Sequence, residues 1–393
     1  MGDPFSAGEL IDGAVRETGL DDFGRGAWRD GLEALIESSL AEADLNLVGL
    51  GILKSWSHRR LANRLRVIDW IERHPEVRDE RIERPIFVLG MLRTGTTILC
   101  ELLAQDPANR PLMKWEGLES VPPPRPESFA SDPRIAQMVE TVEFQMSMVP
   151  GLRAVHYEPG DGPTECVALL TQAFRAQDLA CGLFQAPSYV AWYHACDLRP
   201  AYDHHRLSLQ LLQSGGVRGR WSLKAPGHMH ALDALLAVYP DARLIVTHRD
   251  PLKTVPSSMS LSLAARADSL TNHGDRERTI DYYRTLWMDE LALMTERMMA
   301  FRDREGDARF FDLQFRDFMA DPIGCVRTAY AHFGEALSKD AEAAMQTHLA
   351  SHPRGKHGRN AYHLETFGLD RGLIRERFAG YVERFGVPEE TVE

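Results

Sequence analysis

A run of four apolar residues, Ile86-Phe87-Val88-Leu89, leads straight into Gly90-Met91-Leu92-Arg93-Thr94-Gly95-Thr96-Thr97. Ile98, Leu99, Leu102 and Leu103 then recur at helical spacing. A short run without polar alternation reads as a strand covered on both faces, so the segment predicts strand, tight turn and helix. Such a strand needs neighbours and two layers of helices. A turn that feeds a helix start gathers backbone N–H groups and the positive end of a helix dipole, which together favour an anion. The frame, Gly, four residues, Gly, is that of a phosphate-binding loop ending in Lys and Ser or Thr. Here Thr96 stands at the lysine position, and a cation comes three residues earlier as Arg93. The loop keeps the anion-binding half of the motif and lacks the side chain that reaches a β- or γ-phosphate. It is built for a shorter, less charged 5′-group. Asp312, in Phe310-Phe311-Asp312, is the best candidate to hold Mg²⁺, and a weak one; no metal is expected.

Further strands are predicted at 220–223, 242–247 and 309–313, with helical segments at 228–238, 254–266 and 278–302 between them. Residues 165–213 read as mostly helical, and an amphipathic helix closes the chain near 370–385. Alternating strands and helices indicate an α/β fold, a P-loop-like parallel sheet flanked by helices, over residues 81–393. Before it, residues 1–80 read as an N-terminal helical extension, with Leu32, Leu35, Ile36 and Leu40, then Leu61, Leu65, Ile68 and Ile71, at helical spacing. These helices are left to cover a second substrate, to mediate homodimerisation, or both.

Arg249 follows the apolar run Leu244-Ile245-Val246 at a strand end, where open α/β sheets bind their ligands. Ser257 follows eight residues later, near a helix start, and an Arg with such a Ser suits a phosphate. A third basic cluster, His352-Pro353-Arg354-Gly355-Lys356-His357-Gly358-Arg359, has glycines that let backbone approach a ligand; a solvated loop explains it equally well. These cations sit in a chain with 45 Lys+Arg against 57 Asp+Glu, a net charge of −12, which argues against a nucleic-acid partner. Five scattered cysteines without a CxxC pair read as reduced thiols. No apolar stretch is long enough to span a membrane, and the first residues have neither a basic nor an apolar leader region. A cytoplasmic location is expected.

On these residues the chain resembles the PAPS-dependent sulfotransferases, especially the bacterial branch acting on small molecules and lipids. The resemblance covers roughly residues 84–385. Arg93-Thr94-Gly95-Thr96-Thr97 looks like the family's 5′-phosphosulfate loop, and Arg249 with Ser257 has the spacing of its 3′-phosphate motif. Arg354-Gly355-Lys356-His357-Gly358 is similar to the Gly-rich loop that closes over the nucleotide, and Trp221-Ser222-Leu223-Lys224-Ala225-Pro226 to the segment that brings a lysine to the reaction centre. The resemblance implies 3′-phosphoadenosine-5′-phosphosulfate (PAPS) as donor, 3′,5′-ADP (PAP) as product, no metal, and a hydroxyl on a small or lipid-like acceptor. It places Arg93 and Lys224 on the charge of the transferring sulfuryl group.

For the general base the resemblance implies several positions. Many members carry a histidine two residues after the lysine, where this chain has Pro226; His228 is nearby but off register. Other branches use a glutamate after the first loop and its helix, and Glu116 fits that place best. Glu165 is a third option. Phe144, Met146, Met148, Tyr157, Tyr189 and Trp192 are expected either to line an apolar acceptor pocket or to pack as core. The competing readings are a small-molecule kinase with an aberrant phosphate loop and a catalytically inactive nucleotide-binding protein.

Overall fold

A computed structural model describes residues 5–176, 183–265, 267–352 and 363–390. At its centre five parallel strands lie in the order β2-β3-β1-β4-β5. They are β1 (Ile86–Gly90), β2 (Asn109–Pro111), β3 (Arg220–Lys224), β4 (Arg243–His248) and β5 (Phe310–Gln314). Four of the five fall within one residue of the expected runs. Strand β2 is the exception, because Asn109-Arg110-Pro111 offers no apolar run to read. A proline is tolerated there because β2 is an edge strand.

The pleat divides β1 between two cores. Ile86 and Val88 face Ile245 and Leu313 in a smaller core under α4 (Thr96–Leu103) and the helices Pro322–His332 and Lys339–Ser351. Phe87 and Leu89 face the opposite side with Leu244 and Val246, in a larger core. That core continues without a break into the N-terminal helices α1 (Ala7–Thr18), α2 (Arg29–Glu42) and α3 (Leu47–Arg73), through Leu10, Leu35, Leu61 and Leu65. Local signals set their ends. Ser6 and Glu9 form a reciprocal capping box at the start of α1, and Gly19, at φ 70°, ends it. Asn46 caps α3 by accepting from the N–H groups of Val48 and Gly49, each at 3.0 Å.

Two expected helices are corrected. The segment expected at 228–238 begins as a 3₁₀ turn, Pro226–His230, and only Leu232–Val238 is α-helical. The closing helix is two short ones, Arg371–Arg377 and Ala379–Phe385. Cys100, Cys166, Cys196 and Cys325 are free thiols, and Cys181 lies outside the described residues. Among the described residues no helix is long and apolar enough to cross a membrane.

Candidate active site

Strand β1 lies between β3 and β4, so the loops after all three open around one crevice at the carboxyl edge of the sheet. The loop after β1 is shaped by its backbone. Gly90, Arg93 and Gly95 have φ of 155°, 69° and 92°. A Cβ at Gly90 would run into Thr247 on β4, so both conformation and space require glycine there. The buried Thr94 turns inward, where its hydroxyl donates to the Met91 carbonyl at 2.7 Å and lies 2.6 Å from the Thr247 hydroxyl. Thr94 therefore ties the loop to β4, while Arg93, Thr96 and Thr97 line the crevice.

Arg93 and Arg249 meet although 156 residues separate them. Arg249 Nη1 donates to the Arg93 carbonyl at 2.9 Å, and Arg93 Nε donates to Ser257 Oγ at 3.3 Å. Ser257 lies in the second turn of the helix Pro251–Ala264, whose start is capped by Asp250. The Arg249 guanidinium stacks on Phe315, 3.9 Å from the ring centre, and is gripped by both carboxylate oxygens of Glu390, at 2.8 and 3.0 Å. The loop and the Arg249–Ser257 pair thus form one cationic corner. Arg354, Gly355, Lys356 and His357 lie outside the described residues.

Beside this corner opens a cavity of about 480 Å³, within the size range of small-molecule sites. Its polar wall is a chain of alternating charges. Glu165, Glu158 and Lys114, the last opening α5 (Lys114–Leu118), line the cavity. Lys224, at the end of β3 and 2% exposed, lies behind them, 2.5 Å from Glu165 and 3.5 Å from Glu158, and Lys114 lies 3.2 Å from Glu158. Burial alone would lower the Lys224 pKa, but Glu165 and Glu158 outweigh it and hold the ammonium above the usual lysine range. Burial likewise pushes the Glu158 carboxyl up, and the charges of Lys114 and Lys224 outweigh it, so Glu158 stays ionised. His156 also lines the cavity; burial lowers its pKa and keeps the imidazole neutral at pH 7. The apolar lining comes from elsewhere: Trp56 on α3, Met138 and Val142 on α6 (Pro133–Met148), Leu261 and Trp287.

Two expectations are corrected by this geometry. Glu116 is fully buried and bound by Arg110 at 2.9 and 2.5 Å, with a third bond from the Met113 N–H, so it faces the interior and is absent from the cavity wall. His228 is also fully buried; its Nδ1 lies 2.7 Å from the Tyr202 hydroxyl, its ring stands edge-on to Phe87, and burial holds it neutral. It sits behind β1, away from the crevice. Of the six residues expected either to line the pocket or to pack as core, none lines the cavity, whose apolar wall uses Met138 and Val142, and Met146 packs as core. Phe144 and Met148 stand in solvent, and Tyr189 is packed in the core with its hydroxyl on the Phe174 carbonyl. Asp312 is held by Arg302 at 2.7 and 2.8 Å and by His248 at 2.7 Å, so its oxygens are already engaged.

Sequence reasoning missed Trp56, Arg59 and Arg60, which reach the cavity from a helix with no motif. It also missed Lys114, His156 and Glu158. Glu158 and Glu165 bracket the glycine-rich turn Pro159-Gly160-Asp161-Gly162-Pro163, and two carboxylates flanking such a turn are a readable signal.

The profile of the sulfotransferase family matches residues 85–339. The omega-hydroxy-beta-dihydromenaquinone-9 sulfotransferase of Mycobacterium tuberculosis is 25% identical over 319 residues, 79% of this chain and 76% of that protein. The crystal structure of a sulfotransferase from Mycobacterium avium superposes with a TM-score of 0.88 at 32% identity, covering 99% of each chain. Another from Mycobacterium tuberculosis H37Rv superposes with a TM-score of 0.84 at 34% identity, covering 97% of this chain and 100% of that one.

Proposed function

The chain belongs to the sulfotransferase family, and from that premise we propose that it moves the sulfuryl group of 3′-phosphoadenosine-5′-phosphosulfate to the hydroxyl of a lipid-like acceptor. The donor carries two separated anions, a 5′-phosphosulfate and a 3′-phosphate. The loop Gly90–Thr97 suits the first and the Arg249–Ser257 pair the second. A mostly apolar cavity beside a cationic corner suits an acceptor whose body is hydrocarbon and whose reactive end is a hydroxyl. The menaquinone-type acceptor named for the mycobacterial relative has that character.

In the transfer, the acceptor oxygen forms a bond to sulfur as the bond from sulfur to the bridging oxygen breaks. The electron pair leaves with the 5′-phosphate of 3′,5′-ADP, and the acceptor's proton goes to a base. Positioning and charge stabilisation carry such a reaction. Arg93 and Lys224 balance the sulfuryl and bridging oxygens. Glu165 accepts the proton. One contact carries this assignment: Glu165, which lines the cavity with its side chain 23% exposed, lies with its Oε1 2.5 Å from the buried Lys224 Nζ. Glu158, held by two lysines, positions Lys224.

Two measurements test the reading. At a hundred times its dissociation constant, 3′,5′-ADP stabilises the protein by about 2.7 kcal/mol, read as a rise in Tm, and radiolabelled donor gives labelled long-chain alcohol. Stabilisation by Mg-ATP with ATP turnover, and no sulfate transfer, would replace this reading with the kinase. Glu165→Gln lowers kcat by about 10²–10⁴-fold and leaves 3′,5′-ADP binding unchanged. Full activity in that variant would move the base to His156.

A further inference from the structure

Six large apolar side chains stand in solvent among the described residues: Leu47, Val48, Ile52, Phe144, Met148 and Leu373. Scattered singly, such residues need no explanation. Five of these six, however, lie on α3 and α6, two helices that also line the acceptor cavity. On α3 the exposed residues Leu47, Gly51 and Ser55 follow at i, i+4 and i+8, with Val48 and Ile52 beside them. One turn further on, Trp56, Arg59 and Arg60 enter the cavity wall. On α6, Phe144 and Met148 are one turn apart, 66% and 60% exposed, next to the cavity-lining Thr141 and Gln145. Each helix therefore carries an exposed apolar end that runs into the cavity.

Charge identifies the surface that would cover them. From Leu47 to Ile68, α3 holds Lys54, Arg59, Arg60, Arg64 and Arg66 and no acidic residue, in a chain of net charge −12. Lys54 and Arg59 are exposed on the same stretch as the apolar residues. A second copy related by two-fold symmetry would set these cations against themselves. An anionic lipid surface complements both the charge and the apolar side chains.

We propose that the first two turns of α3 and the last turn of α6 form a rim that docks on an anionic bilayer, so that the acceptor cavity opens at the membrane surface. The rim explains how a lipid-like acceptor reaches the site and to that extent rests on the preceding reading; the contact itself does not. In co-sedimentation with vesicles containing about one third phosphatidylglycerol, the full chain pellets with the lipid, and less so with phosphatidylcholine alone. The variant Leu47→Ser/Val48→Ser/Ile52→Ser, altered only at exposed positions and so keeping its Tm, binds about tenfold more weakly or worse. Lys54→Ala weakens binding to the anionic vesicles by about fivefold. The proposal is overturned if the wild-type chain stays in the supernatant, if the triple variant binds as well as wild type, or if ultracentrifugation shows that these substitutions dissociate a dimer while neither protein binds lipid. Activity separates the two readings. With a long-chain alcohol in vesicles the triple variant loses turnover, and with the same alcohol in detergent it regains wild-type turnover. If the rim binds vesicles but the wild-type chain sulfates no lipid alcohol even in detergent, the docking stands and the acceptor reading falls.

Discussion

The loop Gly90–Thr97 and the cavity wall beside it differ in what does the binding. The loop is eight consecutive residues whose shape comes from backbone conformation, with Thr94 turned inward as a strut. The wall is assembled from residues of α3, α6, the 156–165 segment and the turn after β3, stretches that are not adjacent in sequence. Two glutamates, one buried and one half-buried, show the same contrast at closer range. Glu116 has both oxygens held by Arg110, whose guanidinium lies 4.6 Å from the Trp221 ring centre and 5.0 Å from that of Phe129. Glu165 is paired once, with Lys224, and opens on the cavity. A carboxylate satisfied on every side serves the fold; one with a single partner and an open side keeps an oxygen for chemistry.

Substitutions along this contrast separate turnover from stability. Among these the largest effect is expected from Lys224→Ala, which removes the cation proposed to balance the sulfuryl oxygens and leaves Glu165 and Glu158 without it; kcat falls by about 10³-fold, measured with saturating donor. Glu116→Gln is expected to cost about 3–4 kcal/mol of stability, because it leaves Arg110 charged and buried without its partner, while the protein that remains folded keeps its KM. Urea unfolding beside steady-state kinetics checks this; lost turnover at unchanged stability would reverse the roles of the two carboxylates. Next comes Arg249→Ala, expected to weaken 3′,5′-ADP binding by about 10–30-fold through loss of a charge-assisted contact, read by calorimetry.

The smallest effect per group is an acid sensitivity. Burial holds His204, His205 and His228 below the ordinary histidine range, His205 at about 3. Below about pH 6.5 the unfolded chain binds protons that the folded chain refuses, so stability falls as pH drops. Each histidine contributes at most about 1.4 kcal/mol per pH unit, and nothing above pH 7. Unfolding free energies between pH 7 and pH 4.5 measure the slope, and His205→Phe reduces it by one proton.

The same contrast explains what could be read in advance. Strand β1 and the loop were legible because Ile86–Leu89 is wholly apolar and the loop's chemistry is contiguous. Arg249 with Ser257 was legible because a strand end and the following helix fix their spacing. Glu116 was misplaced because position along the chain does not say which way a side chain faces; Arg110, six residues earlier on an edge strand without an apolar run, was invisible as its partner. The helical character of α3 could be read from its periodicity, but its contribution of Trp56 to the cavity is set by tertiary packing.

The grip of Glu390 on Arg249 has a consequence for affinity. On the proposed reading of Arg249 as the 3′-phosphate contact, an arriving anion displaces a carboxylate rather than water, so its gain is the difference between two ion pairs. Glu390 is tied to the same protein, with its N–H bonded to Asp250 at 2.8 Å. It therefore acts as a tethered competitor, whose effective concentration is on the order of millimolar even for a flexible tether. Weak monoanions are screened out by such a competitor, whereas a phosphate dianion outbids it. On that reading Glu390 would set a threshold on which anions occupy the corner.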